Sequence, residues 1–290
     1  MKVLKWIGIG LGVLLGVVLL AALVLFWMGN SRLNKTYQIE PETITISTDP
    51  EVLARGEHLA QAICTGCHAS DFSGSVIFED PAIGKIYAAN LTPAGHIAQY
   101  SDADLVRAIR HGVAKDGRQL MIMPSDAFIH FSAEDVGAII AYLRTLPPAG
   151  SDMPKPAITP IGRIALAAGV FGQVFPAEYI DHSLPFPQMP SISANQAYGE
   201  YLLQLCTACH GEDLAGGQPT DPASPPAPNL TPGGELAGWS EADFLTTIQT
   251  GVTPSGHMLD PEFMPVDELN KLDEVELQAM WVYLHSLPAR

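Results

Sequence analysis

A five-residue motif that occurs twice constrains this chain more than any other feature. It reads Cys64-Thr65-Gly66-Cys67-His68 in the first half and Cys206-Thr207-Ala208-Cys209-His210 in the second. Two cysteines separated by two residues and followed by a histidine are typical of c-type haem attachment. Each thiol adds to one porphyrin vinyl group, and the adjacent imidazole can reach the iron. These four cysteines are all that the 290-residue chain contains, so none remains for a disulfide or a catalytic thiol.

The motifs predict two covalently bound haem c groups. Cys64 and Cys67 attach the first haem, and Cys206 and Cys209 attach the second. A zinc site with four thiolate ligands is the alternative for two CxxC pairs. Zinc has no use for a histidine in the same place after each pair, so the repeated histidine favours haem.

The two motifs lie in halves that repeat one plan. Each half predicts an opening helix into the motif, a long loop, a middle helix, a methionine loop and a closing helix. The matching stretches are Arg55-Gly56-Glu57-His58-Leu59 with Tyr198-Gly199-Glu200-Tyr201-Leu202, Asn90-Leu91-Thr92-Pro93 with Asn229-Leu230-Thr231-Pro232, Tyr100 to Asp104 with Trp239 to Asp243, and Tyr142 to Pro147 with Tyr283 to Pro288.

Local signals support these helices. Ser101 and Ser240 precede acids in the first turn of each middle helix, and Ser132 does so for the first closing helix. Serine at an N-cap and acids near the positive end of the helix dipole stabilise a helix start. Gly56 and Gly199 lack a Cβ, so we expect the closing helix of each half to approach the opening helix closely there.

The repeated plan resembles a class I cytochrome c domain, and the whole chain resembles membrane-anchored di-haem cytochromes c. The Asn-Leu-Thr-Pro element and the closing Tyr-Leu-x-x-Leu-Pro are similar to those of the cytochrome c subunits of membrane-bound alcohol and gluconate dehydrogenases. Those subunits usually carry three haems, whereas this chain has two motifs. The resemblance implies a mainly α fold of tandem class I cytochrome c domains with long loops, plus one N-terminal transmembrane helix.

We expect the following division of the chain. Residues 1–50 form a transmembrane anchor, with its helix at about 6–28, and a tether. Residues 51–148 form the first cytochrome c domain, 149–190 a linker with an apolar centre, and 191–290 the second domain.

The resemblance also implies the iron ligands. His68 and His210 are the proximal ligands, and in class I cytochromes a methionine just before a proline is the distal one. Met123 and Met264 fit this place, 55 and 54 residues after the two histidines. A thioether ligand raises the redox potential and closes the iron to substrate. Met121 is a competitor for Met123, since methionine is also a common core residue.

Other polar groups near the haems are less clearly assigned. The family implies a backbone carbonyl that orients the proximal imidazole, and Pro226 or Pro228 fits this role in the second half, whereas the first half has Ala88-Ala89. Tyr100, Arg118 and Trp239 are candidates for haem propionate contacts or for simple packing. We expect the remaining seven histidines at the surface or in loops: His58, His96, His111, His130, His182, His257 and His285.

The amino terminus predicts a membrane anchor. From Trp6 to Met28 the chain runs 23 residues without a charge, and a helix of that length spans about 35 Å, enough to cross a bilayer. A cleaved signal peptide is the alternative, but its apolar region is usually shorter and ends in small residues. Because c-type haem attachment takes place outside the cytoplasmic membrane, the resemblance implies a single-pass protein of that membrane with its haem domains in the periplasm or extracytoplasmic space.

Charge and the linker limit the partners. The net charge is −16, which disfavours nucleic-acid binding. Residues 191–290 carry two basic residues against fourteen acids, while residues 51–147 carry seven against eleven. The second domain therefore either simply has a solvated acidic surface or attracts a basic partner.

The apolar centre of the linker, Ile161 to Phe175, predicts either a short helix packed between the domains or a membrane-surface or partner-docking patch.

The favoured function is electron transfer. We expect a tethered di-haem carrier that passes single electrons between periplasmic redox partners, such as a dehydrogenase, an oxidase or a small basic cytochrome. We expect it to act as a carrier, or as a subunit of an oxidoreductase complex, rather than as an enzyme by itself. The alternatives are a di-haem enzyme that reduces peroxide or oxidises sulfur compounds, which needs an open or switchable iron, and an anchored di-haem subunit of a haem–copper oxidase.

Overall fold

The computed structural model of the protein describes residues 2–219 and 224–290; Met1 and residues 220–223 of the expected second domain lie outside this description. The fold is mainly helical, as the sequence predicts. The helices are α1 Lys2–Leu33, α2 Pro50–Ile63, α3 Thr65–His68, α4 Asp102–His111, α5 Ser125–Phe128, α6 Ala133–Leu143, α7 Pro160–Ala167, α8 Gln196–Leu203, α9 Thr207–His210, α10 Glu241–Thr250, α11 Val266–Leu269 and α12 Glu274–Ser286. The strands are β1 Ser75–Asp80, β2 Gly84–Ala88 and β3 Ala157–Ile158.

Helix α1 is a single apolar rod of 32 residues. Within the described part of the chain it is the one helix long and apolar enough to cross a membrane. Its side chains are largely exposed up to Met28, whereas Gly29 is buried. The helix therefore projects from the rest of the molecule and joins it through its last turns.

The two halves are built on the same helix pair. In the first half α2 packs against α6, and in the second α8 packs against α12. A Cβ on Gly56 would lie 1.9 Å from the carbonyl oxygen of Ala138, and one on Gly199 would lie 2.0 Å from that of Ala279. The predicted close approach of opening and closing helices is confirmed in both halves, because no larger residue fits there.

The predicted helix caps are also confirmed. The Ser101 side chain accepts a hydrogen bond from the Asp104 amide, and the Ser240 side chain accepts one from the Asp243 amide. In both turns the aspartate carboxylate accepts a second bond from the serine amide. Ser132 caps α6 in the predicted way. The reciprocal bonds at Ser101 and Ser240 fix where α4 and α10 begin.

The first domain contains a small antiparallel sheet in the order β1-β2-β3. Strands β1 and β2 form a hairpin within the loop that follows the first haem motif, with Ser75 opposite Ala88 and Asp80 opposite Gly84. Strand β3 comes from the linker and pairs Ile158 with Gly84. The sheet lies where the sequence predicts only a long loop.

The segments before and after the first domain pack along it. Tyr37 donates a backbone hydrogen bond of 2.8 Å to Gly117, and Glu42 forms an ion pair with Arg110. After the domain, α7 packs against the end of α1. The helix predicted in the linker is therefore present, but its neighbour is the apolar N-terminal helix rather than the gap between the two domains.

The two domains share one core and a buried set of charges. Arg55 on α2 contacts Asp135 on α6 at 3.0 Å and Glu276 on α12 at 2.8 Å. The Tyr201 hydroxyl of the second domain donates to Asp135 at 2.8 Å. Ion pairs and a hydrogen bond thus join the opening and closing helices of both domains.

Two candidate haem sites

Each haem motif ends an opening helix and begins a short helical turn. In the first motif the His68 amide donates to the Cys64 carbonyl at 2.9 Å, so α3 carries Cys67 and His68 on one turn. In the second motif α9 does the same for Cys209 and His210. The first cysteine of each motif is half-buried and the second is exposed.

Both predicted proximal histidines are held by a backbone carbonyl. The Nδ1 atom of His68 lies 2.7 Å from the carbonyl oxygen of Ala89, and Nδ1 of His210 lies 2.9 Å from that of Pro228. This bond fixes the ring and leaves Nε2 as the nitrogen for a metal. Pro228, one of the two predicted prolines, makes this contact, and an alanine does so in the first domain because the carbonyl alone is needed.

Burial favours the metal-binding form of these imidazoles. Removal from water lowers the pKa of His68 and of His210 below the usual value for histidine. Both rings are therefore neutral at pH 7, with a lone pair available. Burial also raises the pKa of Cys64 and of Cys206 to about 12. Neither thiol ionises at neutral pH.

The Asn-Leu-Thr-Pro element holds the carbonyl in place, a role that the sequence analysis did not assign. The Asn90 side chain accepts a hydrogen bond from the Thr92 amide at 2.8 Å and donates to the Ala149 carbonyl at 2.8 Å. In the second domain Asn229 accepts from Thr231 and donates to the carbonyl of Arg290. Each asparagine thus connects the loop that orients the histidine to the chain after the closing helix.

An apolar cleft opens beside the first motif. Its empty space, including the open solvent at its mouth, is about 1420 Å³. Its walls include Cys64, Cys67 and His68, together with Met121 and Met123. The sheet contributes to the same walls. A cleft lined by thiols, an imidazole, thioethers and aliphatic side chains suits a flat apolar ring that is attached at one edge.

The two predicted distal methionines occupy equivalent turns. The Ser125 amide donates to the Met123 carbonyl at 2.8 Å, and the Val266 amide donates to the Met264 carbonyl at 2.7 Å. Both side chains pack against the shared core. Met121 also lines the first cleft, and it has no methionine counterpart in the second domain.

One half-buried cation in the first cleft has a buried nitrogen without a hydrogen-bond acceptor. Arg118 lines the cleft, and the Asp116 carboxylate lies 4.0 Å from its Nε, beyond hydrogen-bond distance. A buried guanidinium nitrogen without a partner is costly. A haem propionate in the cleft would supply the missing acceptor. The residues present therefore fit a haem on charge as well as on shape.

Two of the remaining histidines are more than surface residues. His58 contacts Glu276 at 2.7 Å across the domain boundary. His111 is 1% exposed and lies 3.1 Å from both His182 and Glu42. The expectation of a surface or loop position is therefore wrong for His111, because the segments at residues 34–49 and 176–186 cover the end of α4.

Comparison with known proteins identifies the domains. A family model described as "Cytochrome c" matches residues 53–147 and 196–288. The fructose dehydrogenase cytochrome subunit of Gluconobacter japonicus is 29% identical over 271 residues, which is 82% of this chain and 53% of that protein. The gluconate 2-dehydrogenase cytochrome c subunit of Pantoea cypripedii is 34% identical over 173 residues, 55% of this chain and 38% of that protein.

A relative of similar length shares the number of haems. A protein named diheme cytochrome c-type from Cereibacter sphaeroides is 27% identical over 287 residues, 85% of this chain and 92% of that protein. By contrast, the chain spans about half the length of the fructose dehydrogenase subunit that it matches. Two matched domains, each with its CxxC pair, account for two covalently bound haem c groups in this chain.

Proposed function

The chain belongs to the cytochrome c family, with two of its domains in tandem, and from this premise we propose that it is a membrane-tethered carrier that passes single electrons between extracytoplasmic redox partners. The haems are attached through Cys64 and Cys67 in the first domain and through Cys206 and Cys209 in the second. When bound, they supply the one-electron chemistry, and the protein supplies orientation, potential and docking surface.

Closed iron sites distinguish a carrier from an enzyme. We assign His68 and Met123 to the first iron and His210 and Met264 to the second. The observation that carries this assignment is the repetition of one arrangement: each histidine is held by a backbone carbonyl, and each methionine occupies the same turn before its short helix. Two protein ligands on each iron leave no open position for peroxide or another substrate.

A membrane-bound dehydrogenase is the proposed electron donor. The relatives named above include cytochrome subunits of fructose and gluconate dehydrogenases, and the match extends over most of this chain. An oxidase or a small basic cytochrome is the proposed acceptor. The acidic second domain supports a basic acceptor, because complementary charge accelerates association.

The structure supports an uncleaved anchor over a removed signal peptide. The last turns of α1 belong to the folded body: Arg32 forms an ion pair with Glu178 at 2.7 Å, and Gly29 packs directly on Arg163. Cleavage after the apolar run would separate these contacts from their helix. We therefore place the protein in the cytoplasmic membrane as a single-pass protein, with both haem domains on the extracytoplasmic side.

A redox titration of the purified protein, followed by absorbance, tests the proposal. We expect two haems per chain, two one-electron transitions, a Met–iron charge-transfer band and no binding of carbon monoxide to the reduced protein. A high-spin or five-coordinate haem in the oxidised or half-reduced protein would instead support the di-haem enzyme. Reduction of the haems by a dehydrogenase that co-purifies from detergent-solubilised membranes, on addition of its substrate, tests the proposed donor.

A further inference from the structure

The linker contains a stretch whose composition differs from the rest of this acidic chain. Residues 156–177 include one charged residue, Arg163, and no acid. Arg163 is directed inward, since its Nη1 donates to the Asn30 side chain at 2.8 Å and its Nε donates to the Ile158 carbonyl at 3.2 Å. The outer surface of this stretch is therefore uncharged.

Helix α7, within this stretch, runs beside the end of α1 in the same direction. Gly29 packs on the backbone of Arg163, and three residues further along α1 Arg32 donates to the Leu166 carbonyl at 3.1 Å. The first turn of α7 therefore lies at the level of Phe26 and Trp27. This is the level at which the apolar run of α1 ends.

Exposed apolar side chains cluster at that level. Ile161 is 60% exposed in the first turn of α7, and Trp27 is 61% exposed on α1. Pro81 and Ala82 are exposed at the tip of the β1–β2 hairpin. The Thr159 hydroxyl donates to the Ala82 carbonyl, which fixes the tip beside α7. We call Trp27, Pro81, Ala82 and Ile161 the membrane face.

We propose that this membrane face rests in the interface of the phospholipid bilayer that α1 spans. The proposal rests on the anchor described under the proposed function. Continuity with α1 selects lipid as the occupant, because an apolar surface at the level where a spanning helix leaves the hydrocarbon core meets the headgroup region. Tryptophan is typical of this depth, and exposed apolar side chains beside it gain free energy by burial at the headgroup boundary.

The charged side chains nearest the hairpin tip already have interaction partners. Glu79 forms an ion pair with Lys85. One carboxylate oxygen of Asp80 accepts the backbone amides of Ala82 and Ile83 at 2.8 and 2.9 Å. The tip therefore presents its two exposed apolar residues, rather than an unpaired carboxylate, in line with Ile161.

The consequence is a fixed orientation of the first haem domain. The β1–β2 hairpin carries Pro81 and Ala82 of the membrane face at its tip and also contributes Ile77 and Tyr87 to the walls of the first haem cleft. A bilayer contact at the tip thus sets the angle of that cleft to the membrane. A carrier held in this way presents its first haem to a membrane-bound partner in one orientation instead of swinging on a tether.

A fluorophore at a single introduced cysteine tests the proposal, because the four native cysteines are all occupied by haem attachment. The full-length holoprotein is placed in phosphatidylcholine–phosphatidylglycerol nanodiscs with bimane at Ile161→Cys, at Leu15→Cys within α1, or at Ile192→Cys. Ile192 is a matched control, since it is 54% exposed and apolar but lies at the start of the second domain. Quenching by brominated lipid is compared with quenching by aqueous iodide, and an unchanged haem spectrum verifies folding.

We expect lipid quenching at Leu15 and Ile161 and at least a fivefold lower iodide quenching at Ile161 than at Ile192. Iodide quenching at Ile161 equal to that at Ile192, with lipid quenching retained at Leu15, would overturn the membrane face while leaving the anchor intact. Loss of lipid quenching at Leu15 would overturn the anchor itself. Protection of Ile161 from both quenchers would indicate cover by protein, such as a second copy, and would also overturn the proposal.

Discussion

The ammonium group of Lys271 lies 2.8 Å from the hydroxyl of Thr65, so a side chain of the second domain contacts the first haem motif. The same nitrogen donates to the Gln61 carbonyl at 2.9 Å. The carboxylate of Glu268 lies against Gly66, which also belongs to that motif. The segment that follows Met264 in the second domain therefore places one cation and one anion at the first haem motif.

Changing these two charges shifts the first haem potential in opposite directions. A cation disfavours the ferric form, so we expect Lys271→Met to lower the potential of the first haem and Glu268→Gln to raise it. For charges roughly 10 Å apart at an effective dielectric constant of about 20, the interaction is about 1.7 kcal/mol, or about 70 mV, and solvent screening reduces it to a few tens of mV. The redox titration described above measures both shifts.

A charge-conserving variant provides the control for this prediction. Both residues follow Met264 by only a few positions, so the titration also records the potential of the second haem. Lys271→Arg should restore the wild-type potential of the first haem, since it keeps the charge. Shifts of equal sign in both charge variants, or a shift confined to the second haem, would show that the contact acts through packing and not through charge.

Met123, and not Met121, should bind the first iron. Met123 and Met264 share the same backbone turn and pack into the core, so we expect Met123→Ala to remove about half of the Met–iron charge-transfer absorbance. That variant should also bind carbon monoxide at one haem. Met121→Ala should leave the spectrum unchanged.

Met258→Ala is the matched control in the second domain, because Met258 is 73% exposed and lies on the same loop as Met264. It should have no spectral effect, whereas Met264→Ala should remove the second half of the band. If Met121→Ala abolished the first component and Met123→Ala did not, the ligand assignment would be reversed.

The features that the two halves of the chain share are predictable from the sequence, because they depend on local chemistry. The haem motifs, the serine caps and the two glycines at helix contacts each follow from residue type and spacing. The partner of the His68 ring could not be predicted, because every residue of the loop supplies a backbone carbonyl. Only the structure shows that the loop preceding Asn90 brings the Ala89 carbonyl to His68.

The sheet and the domain contacts could not be derived from the sequence, since they join residues far apart in the chain. Strand β3 has two residues and pairs with a strand more than 70 positions earlier. Arg55 and Glu276 are 221 positions apart, and both are common surface residue types. Periodicity carries no signal for such pairs, and their burial follows from the packing of one domain on the other.

The buried carboxylate of Glu276 should stabilise the domain pair. It accepts hydrogen bonds from Arg55 at 2.8 Å, from His58 at 2.7 Å and from the Tyr198 hydroxyl at 3.0 Å. Removal of one partner from a buried ion pair typically costs about 3–5 kcal/mol, so Glu276→Gln should lower the thermal transition of the detergent-solubilised protein by several degrees. Glu274→Gln, an exposed acid in the first turn of the same helix, should leave it unchanged.

The same contact predicts how stability depends on pH. Burial alone would raise the pKa of Glu276, but the bonds from His58 and Arg55 lower it to about 2. The stabilisation by this carboxylate is therefore present above the usual pKa of 4.5 and is lost as the pH falls towards 2. The bond to Glu276 raises the pKa of His58 above its usual 6.5, against the opposing charge of Arg55. The stabilisation by protonated His58 is complete below pH 6.5 and is lost as the pH rises through the raised pKa of His58.

The transition temperature should therefore be greatest between about pH 4.5 and 6.5. Circular dichroism melts of the full chain in detergent from pH 4 to pH 9 measure it. His58→Gln should remove most of the decline on the alkaline side and leave the acid side in place. If the transition temperature of His58→Gln fell as much at alkaline pH as that of the wild type, groups other than His58 would be responsible for the decline.

Gly29 should be essential for the contact between α1 and α7, and Gly16 should not. A Cβ at position 29 would lie 1.8 Å from the Arg163 carbonyl oxygen, whereas one at position 16 meets nothing within 4 Å. Both substitutions by alanine favour the helical backbone by about 1 kcal/mol, so their difference isolates the contact.

We expect Gly29→Ala to displace α7, weaken the bond between Arg163 and Asn30, and expose the half-buried Arg163 to trypsin. Cleavage after residue 163 in the detergent-solubilised holoprotein, detected by mass spectrometry, should then be at least several times faster than in Gly16→Ala or the wild type. Equal cleavage rates in the two alanine variants would mean that α7 is held by the sheet and the first domain alone, and that α1 does not determine its position.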